Sequence, residues 1–236
     1  MIVQLQKDVV QGPLDHPRFG RALIVRPTVE GSRANRFPTQ AIVITAVARK
    51  MIELTRLGEK IQAVVVEGEA HDPTRHPEFH EISENLRELL DKHFPKADLI
   101  LVSDHPSLDR ASVRHALTLF DRPVIRLEAG FQKTFAALTG GDPKDFRHMV
   151  EQMGRLGKDR LIVQATFVQG EVDNSNDNEI KAWIKHLTEI KPARVHITTR
   201  AKPRGRKERP ISKARMTQIA ELVTTKTGIP VEVGSD

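Results

Sequence analysis

Six short apolar runs, each followed by a stretch with helical spacing, constrain this chain more than any single residue does. The runs are Ala22–Arg26, Ala63–Glu67, Leu99–Ser103, Val124–Glu128, Leu161–Val168 and Arg194–Thr198, with a seventh at Val231–Val233. Most are continuously apolar rather than alternating, the pattern of strands covered on both faces by helices. Between them, apolar stripes recur at helical spacing: Ile44, Val47, Met51 and Leu54; Phe79, Ile82, Leu86, Leu89 and Leu90; Phe146, Met149, Val150 and Met153. Two more follow at Ile180, Trp183, Ile184 and Leu187, and at Met216, Ile219, Leu222 and Val223. Punctuation agrees with the stripes. Asp142-Pro143 reads as a cap and first-turn proline with Gly157 as a stop, Asn176 with Glu179 as a capping box, and Ser212 and Gly228 as the two ends of the last helix. Such alternation predicts an α/β fold of right-handed parallel units, either a β/α barrel or an open doubly wound sheet. No linker or repeat interrupts it, so residues 1–236 read as a single domain.

What the chain lacks excludes several chemistries. It has 0 Cys, so it offers no disulfide, no thiolate nucleophile and no thiolate ligand for zinc or iron. No glycine-rich dinucleotide fingerprint follows the first run and no phosphate-loop motif is present. The longest apolar stretch, starting at Ala41, falls short of the roughly 20 residues a membrane helix needs. The opening MIVQLQKDVV has no basic start followed by a long apolar segment, so the expectation is a cytoplasmic protein without a membrane partner.

The densest chemistry lies in residues 61–79, IQAVVVEGEAHDPTRHPEF: an apolar strand, then acids and histidines, then a helix entry. Parallel α/β sheets place reactive groups just past the carboxyl ends of their strands. Strand ends of this chain would present Glu67, Glu69, His71, Asp72, Asp104, His105 and Glu128 on neighbouring loops. Imidazoles and carboxylates in such a set could bind a divalent metal or move protons; the bland alternative is a solvated rim. His71, Asp72, Asp104, His105 and Glu128 are the acid–base candidates, and Glu67, Glu69, His71 and His105 the weak metal candidates. His76 and His80 are four apart but straddle Pro77 at the helix entry, and no H-E-x-x-H accompanies them. Ser103 beside Asp104 and His105 lacks the G-x-S-x-G elbow of a serine nucleophile and reads as a helix-entry loop.

Asp72-Pro73-Thr74 with His76-Pro77 resembles the E-P-T-x-H-P part of the G-x-G-E-P-T-x-H-P signature of radical SAM enzymes of the tRNA-wyosine-synthase-like group. The resemblance runs in order from about residue 10 to 223. Gly12–Val25 is similar to the family's opening, Arg126-Leu127-Glu128-Ala129-Gly130 to its S-L-D-A-G, Gly170–Ser175 to its G-x-N-D-S turn, and the segment from Ile197 to its L-N-T-V-V-R-P. It implies a partial, six-stranded parallel β/α barrel, S-adenosylmethionine as cofactor, and tRNA modification as the setting. Asp72, Ser103, Asp104, Glu128 and Thr199 occupy its cofactor positions. The departures are specific. Where the family shows C-x3-C-x2-C, the loop Arg26–Thr39 has no cysteine, so no iron–sulfur cluster is expected. The glycines that admit S-adenosylmethionine in the family are replaced by Glu69 and His71, which should obstruct the cofactor or rearrange its site.

Charge singles out one more segment. The chain carries +6 in total, yet residues 200–215 hold eight Lys/Arg and one Glu, a local +7 that leaves the remainder at −1. Lys202, Arg204, Arg206, Lys207 and Arg209 sit among Pro203, Gly205 and Pro210, an extended loop suited to a phosphate backbone. Aromatic residues are only 4%, so binding there would be mainly electrostatic. Arg33 and Arg36 add charge to the early loop, for a phosphate-bearing ligand or for pairing with the acids. The leading expectation is therefore a cluster-less, radical-SAM-like pseudoenzyme that binds RNA, tRNA or another polyanion, with or without a protein partner. The alternatives are an enzyme doing cluster-free acid–base chemistry around a divalent metal, and retained S-adenosylmethionine binding.

Overall fold

The computed structural model describes residues 8–29, 37–156, 159–200 and 208–234. The chain forms two compact units, Met1–Ile125 and Arg126–Asp236.

In the first unit five strands lie side by side in chain order: β1 (Val10–His16), β2 (Gly20–Val25), β3 (Ala63–Val66), β4 (Asp98–Ser103) and β5 (Arg122–Arg126). β2 through β5 are parallel, in registers such as Val25↔Val66 and Val66↔Leu101. All four residues of β3 are at most 1% exposed, as continuous apolar runs require of strands covered on both faces. Helix α1 (Gln40–Arg56) buries Val43, Ala46, Val47, Met51 and Leu54, so its stripe centres on Val43 rather than Ile44. Helix α2 (Phe79–His93) seals the core with Phe79, Ile82, Leu86 and Leu90, each 0% exposed, which contribute about 12 kcal/mol of transfer free energy at most. A short helix, α3 (Ala111–Ala116), precedes β5.

β1 is an addition that periodicity does not reveal. It pairs antiparallel with β2, its register shifts between Gln11 and Leu14, and its residues are exposed or half-buried throughout. Gly12-Pro13 interrupts the apolar pattern there, and proline is tolerated on an edge strand.

The second unit pairs β6 (Ile162–Gly170) with β7 (Arg194–Thr199), and β7 with β9 (Val231–Val233), all parallel. The end of β6 also carries a three-residue antiparallel strand, β8 (Glu208–Pro210), where the sequence suggests only loop. Helices α4 (Gln132–Thr139), α5 (Asp145–Arg155), α6 (Asp177–Ile190) and α7 (Lys213–Thr227) complete it. Trp183 of α6 and Phe167 of β6 meet edge to face 5.2 Å apart, each 1% exposed. Ser212 caps α7 through Arg215 N, and Gly228 ends it at φ 72°. Asp142 caps a turn ahead of α5 instead of the helix itself, accepting from Lys144 N at 2.9 Å; Gly157 lies outside the described residues. Among the described residues no helix is long and apolar enough to cross a membrane.

Candidate functional site

The loops after β3 and β4 converge on one carboxylate. Asp72 Oδ1 accepts from Thr74 N (2.9 Å) and Thr74 Oγ1 (2.5 Å), while Oδ2 accepts from Ser103 Oγ (2.7 Å), Asp104 N (2.9 Å) and His105 N (3.0 Å). Five donors converge on two oxygens, so every lone-pair direction is used. Asp72, Ser103, Asp104 and His105 are thus brought together through backbone amides and a hydroxyl. Ser103 is 0% exposed, and its hydroxyl donates to Asp72. The Asp104 side chain is exposed and that of His105 half-buried.

The rest of the motif has the same internal character. His76 is 1% exposed; Nε2 donates to Pro38 O at 2.7 Å, and Nδ1 accepts from Glu78 N at 3.0 Å. One donor and one acceptor are the inventory of neutral imidazole, and burial pushes its pKa below the usual 6.5. His76 is therefore no partner for His80, whose ring packs 5.0 Å from that of His115. Arg110 adds a clamp, donating to the carbonyls of Thr74 (3.0 Å), His76 (3.2 Å) and Pro77 (2.9 Å).

Glu67 pairs with Arg26 at 2.6 Å, joining the ends of β3 and β2. Glu69 is exposed. His71 is half-buried, sets its ring edge-on to Phe37 at 5.5 Å, and offers its carbonyl to Thr28 Oγ1 at 2.7 Å. Gly68 allows this loop to fold on itself, because a Cβ there would lie 1.9 Å from the His71 carbonyl oxygen.

In the second unit the stretch after β5 is held by α6 and the turn before it. Asn174 Nδ2 donates to Glu128 O (2.7 Å) and Trp183 Nε1 to Leu127 O (2.8 Å). Gly130 N donates to Glu179 Oε2 (2.7 Å), His186 Nε2 donates to Gly130 O (2.9 Å), and Thr134 Oγ1 donates to Glu179 Oε1. Glu128 enters this network through its carbonyl, and its side chain is half-buried. Glu179 is 5% exposed; sequence pattern assigns it to a capping box, yet only Asn176 caps, and Glu179 reaches away to Gly130. Thr199 is likewise internal, donating to Phe167 O (2.8 Å) and accepting from Ile211 N (2.9 Å).

Arg33, Arg36, Lys202, Arg204, Arg206 and Lys207 lie outside the described residues; Arg209 is exposed on β8. Among the described residues no group of three or more His, Asp or Glu is placed to hold a metal ion. The donor set does not fit an iron–sulfur cluster, because the chain has no cysteine thiolate. Sequence reasoning also missed Gly68, Arg110, Asn174 and Glu179. Asn174 was visible only as part of the Gly170–Ser175 turn, and Glu179 only as an acid at the third helical position, a signal that pointed to a different partner.

No protein-family model and no curated protein sequence matches this chain. Solved structures do match. The chain is similar to a domain of pyruvate-formate lyase-activating enzyme from Bacteroides vulgatus ATCC 8482, with TM-score 0.53 and 15% identity over 72% of this chain and 98% of that one. A radical SAM methyltransferase from Sphaerobacter thermophilus matches with TM-score 0.58 and 15% identity, over 85% of this chain but only 59% of its own length. Archaeal TYW1 matches with TM-score 0.60 and 10% identity, over 94% and 80%. These likenesses show an α/β fold of the radical SAM type, the fold that the sequence resemblance implies.

Proposed function

We propose that this chain, a radical SAM fold without a single cysteine, is a binding or accessory protein that performs no radical chemistry and takes RNA or another polyanion as its ligand. The observation that carries the first half is the pairing of 0 Cys with a motif whose polar groups are spent on the protein itself. Asp72, Ser103 and Thr199, at cofactor positions by resemblance, all satisfy internal partners. The second half rests on charge. Residues 200–215 carry +7 against +6 for the whole chain, and Arg209 among them is exposed. A polyanion neutralised by such a run releases counterions, so affinity should fall steeply with salt. The setting implied by the TYW1-like resemblance, tRNA modification, makes a tRNA the first ligand to try, alone or beside an active enzyme.

Two measurements test this. Anaerobic reconstitution with iron and sulfide should yield colourless protein that leaves S-adenosylmethionine intact; a brown preparation or a deoxyadenosyl product overturns the first half. Binding of a fluorescent tRNA should weaken with a log–log salt slope of about −3.5 to −4.5 for five neutralised phosphates. It should be lost when Lys202, Arg204, Arg206, Lys207 and Arg209 are all changed to Gln. Salt-independent binding, or binding that survives those changes, overturns the second half. Elemental analysis separates the acid–base alternative, which requires stoichiometric zinc, manganese or iron. Calorimetric titration with S-adenosylmethionine separates the other.

A further inference from the structure

Charge alone does not tell RNA from any other polyanion, because phosphate contacts carry no information about the bases. We infer that Phe131 supplies the distinction, as a stacking residue for an unpaired RNA base held ready at a strand exit of the second unit. This rests on the polyanion reading above and deepens it by naming single-stranded RNA as the ligand.

Among the described residues the exposed large apolar side chains are Leu14, Ile52, Leu57, Phe131 and Val233, and Phe131, at 48%, is the one aromatic. Scattered exposed aliphatic groups are ordinary in a folded protein. An aromatic ring differs, because its face is what a base stacks on, and every base offers a π-face in return. The chain has 0 Tyr and 1 Trp, and that Trp183 is 1% exposed, so Phe131 is where stacking can occur in the second unit.

The ring is held from both sides. Immediately before it, Gly130 N donates to Glu179 Oε2 at 2.7 Å, and Gly130 O accepts from His186 Nε2 at 2.9 Å. Immediately after it, Phe131 O accepts from Phe135 N at 2.9 Å as α4 begins. Phe131 itself is extended, at φ −127° and ψ 148°. An aromatic side chain on a backbone fixed in this way loses little freedom when a base docks. Cations accompany it. Lys133 is exposed in the first turn of α4, which contains no acid. Leu127 N donates to Gln164 O at 2.9 Å, and Asn174 Nδ2 donates to Glu128 O and Thr166 O at 2.7 and 2.9 Å. The stretch leading to Phe131 therefore runs beside β6 towards its carboxyl end. β8 joins β6 at that same end, where exposed Arg209 pairs with Gln169.

The test separates stacking from charge. Fluorescence anisotropy is measured for a labelled single-stranded RNA and for labelled heparin, which is anionic but has no base, with wild-type protein, Phe131→Ala and Phe131→Trp. Phe131→Ala should weaken RNA binding about tenfold. Its log–log salt slope should stay within about 0.5 of wild type and its heparin affinity within about twofold, because no cation has been removed. Phe131→Trp should bind RNA at least as tightly as wild type, and RNA should quench its fluorescence above the background of buried Trp183. Unchanged RNA binding by Phe131→Ala, an equal loss for RNA and heparin, or an unquenched Phe131→Trp overturns the stacking role. So does wild-type protein that binds heparin but not RNA. Wild-type protein that binds neither probe overturns the polyanion reading itself, before any substitution is made.

Discussion

Asp72 is where an inherited motif meets its present use. A carboxylate beside two histidine-bearing loops suggests proton chemistry, but its oxygens are occupied by Thr74, Ser103 and two backbone amides. Removing it strands those donors, and hydrogen bonds to charged groups are the stronger kind. Asp72→Ala should therefore lower stability by about 3 kcal/mol in urea denaturation, and Asp72→Asn should do little better because its amide would face an N–H. His76 makes a second prediction. Burial holds its folded pKa below the unfolded value of 6.5, with His16 shifted the same way for the same reason. Below that unfolded value the unfolded chain takes up protons that the native chain resists, so stability falls as pH drops through the window beneath 6.5. Each histidine contributes a slope of at most about 1.4 kcal/mol per pH unit. Denaturation midpoints measured from neutral pH down to about pH 5 should decline accordingly, and His76→Gln should be less stable at neutral pH but show a shallower decline.

At the scale of elements, the stretch Leu127–Gly130 shows how a strand exit is held without forming regular structure. Four side chains from α6 and the turn before it reach its backbone, and Gly130 comes so close that a Cβ would sit 2.3 Å from Glu179 O and 2.9 Å from Trp183 N. Gly130→Ala should cost about 3 kcal/mol, because backbone rather than a movable side chain must give way. Glu179→Ala should cost about as much by leaving Gly130 N without its acceptor. The apolar strands and long helices were readable in advance because burial imposes a period on them. β1 and β8 were not, since Val10–His16 has no apolar run and no buried residue, and Glu208–Pro210 becomes a strand only because the tail of β6 offers it a partner.

For the whole molecule, charge and core are separable. Changing Lys202, Arg204, Arg206, Lys207 and Arg209 to Gln removes five charges from +6 and leaves +1, while the core side chains all lie elsewhere. That variant should keep the wild-type thermal midpoint within about 3 °C yet elute early from a heparin column; a collapse of the midpoint would tie the segment to the fold. The amino-acid sequence by itself determined the α/β alternation, the identity of the apolar stripes, the localisation of positive charge and the impossibility of a thiolate-held cluster. These follow from side-chain chemistry and from periods of two and 3.6 residues, which are local properties. Only the tertiary structure decided what Asp72, His76 and Glu179 do, because each finds its partner through contacts between separate elements. An acid reads the same in sequence whether it faces substrate, a helix terminus or a neighbouring loop, and the difference lies in which donors the fold brings within 3 Å of it.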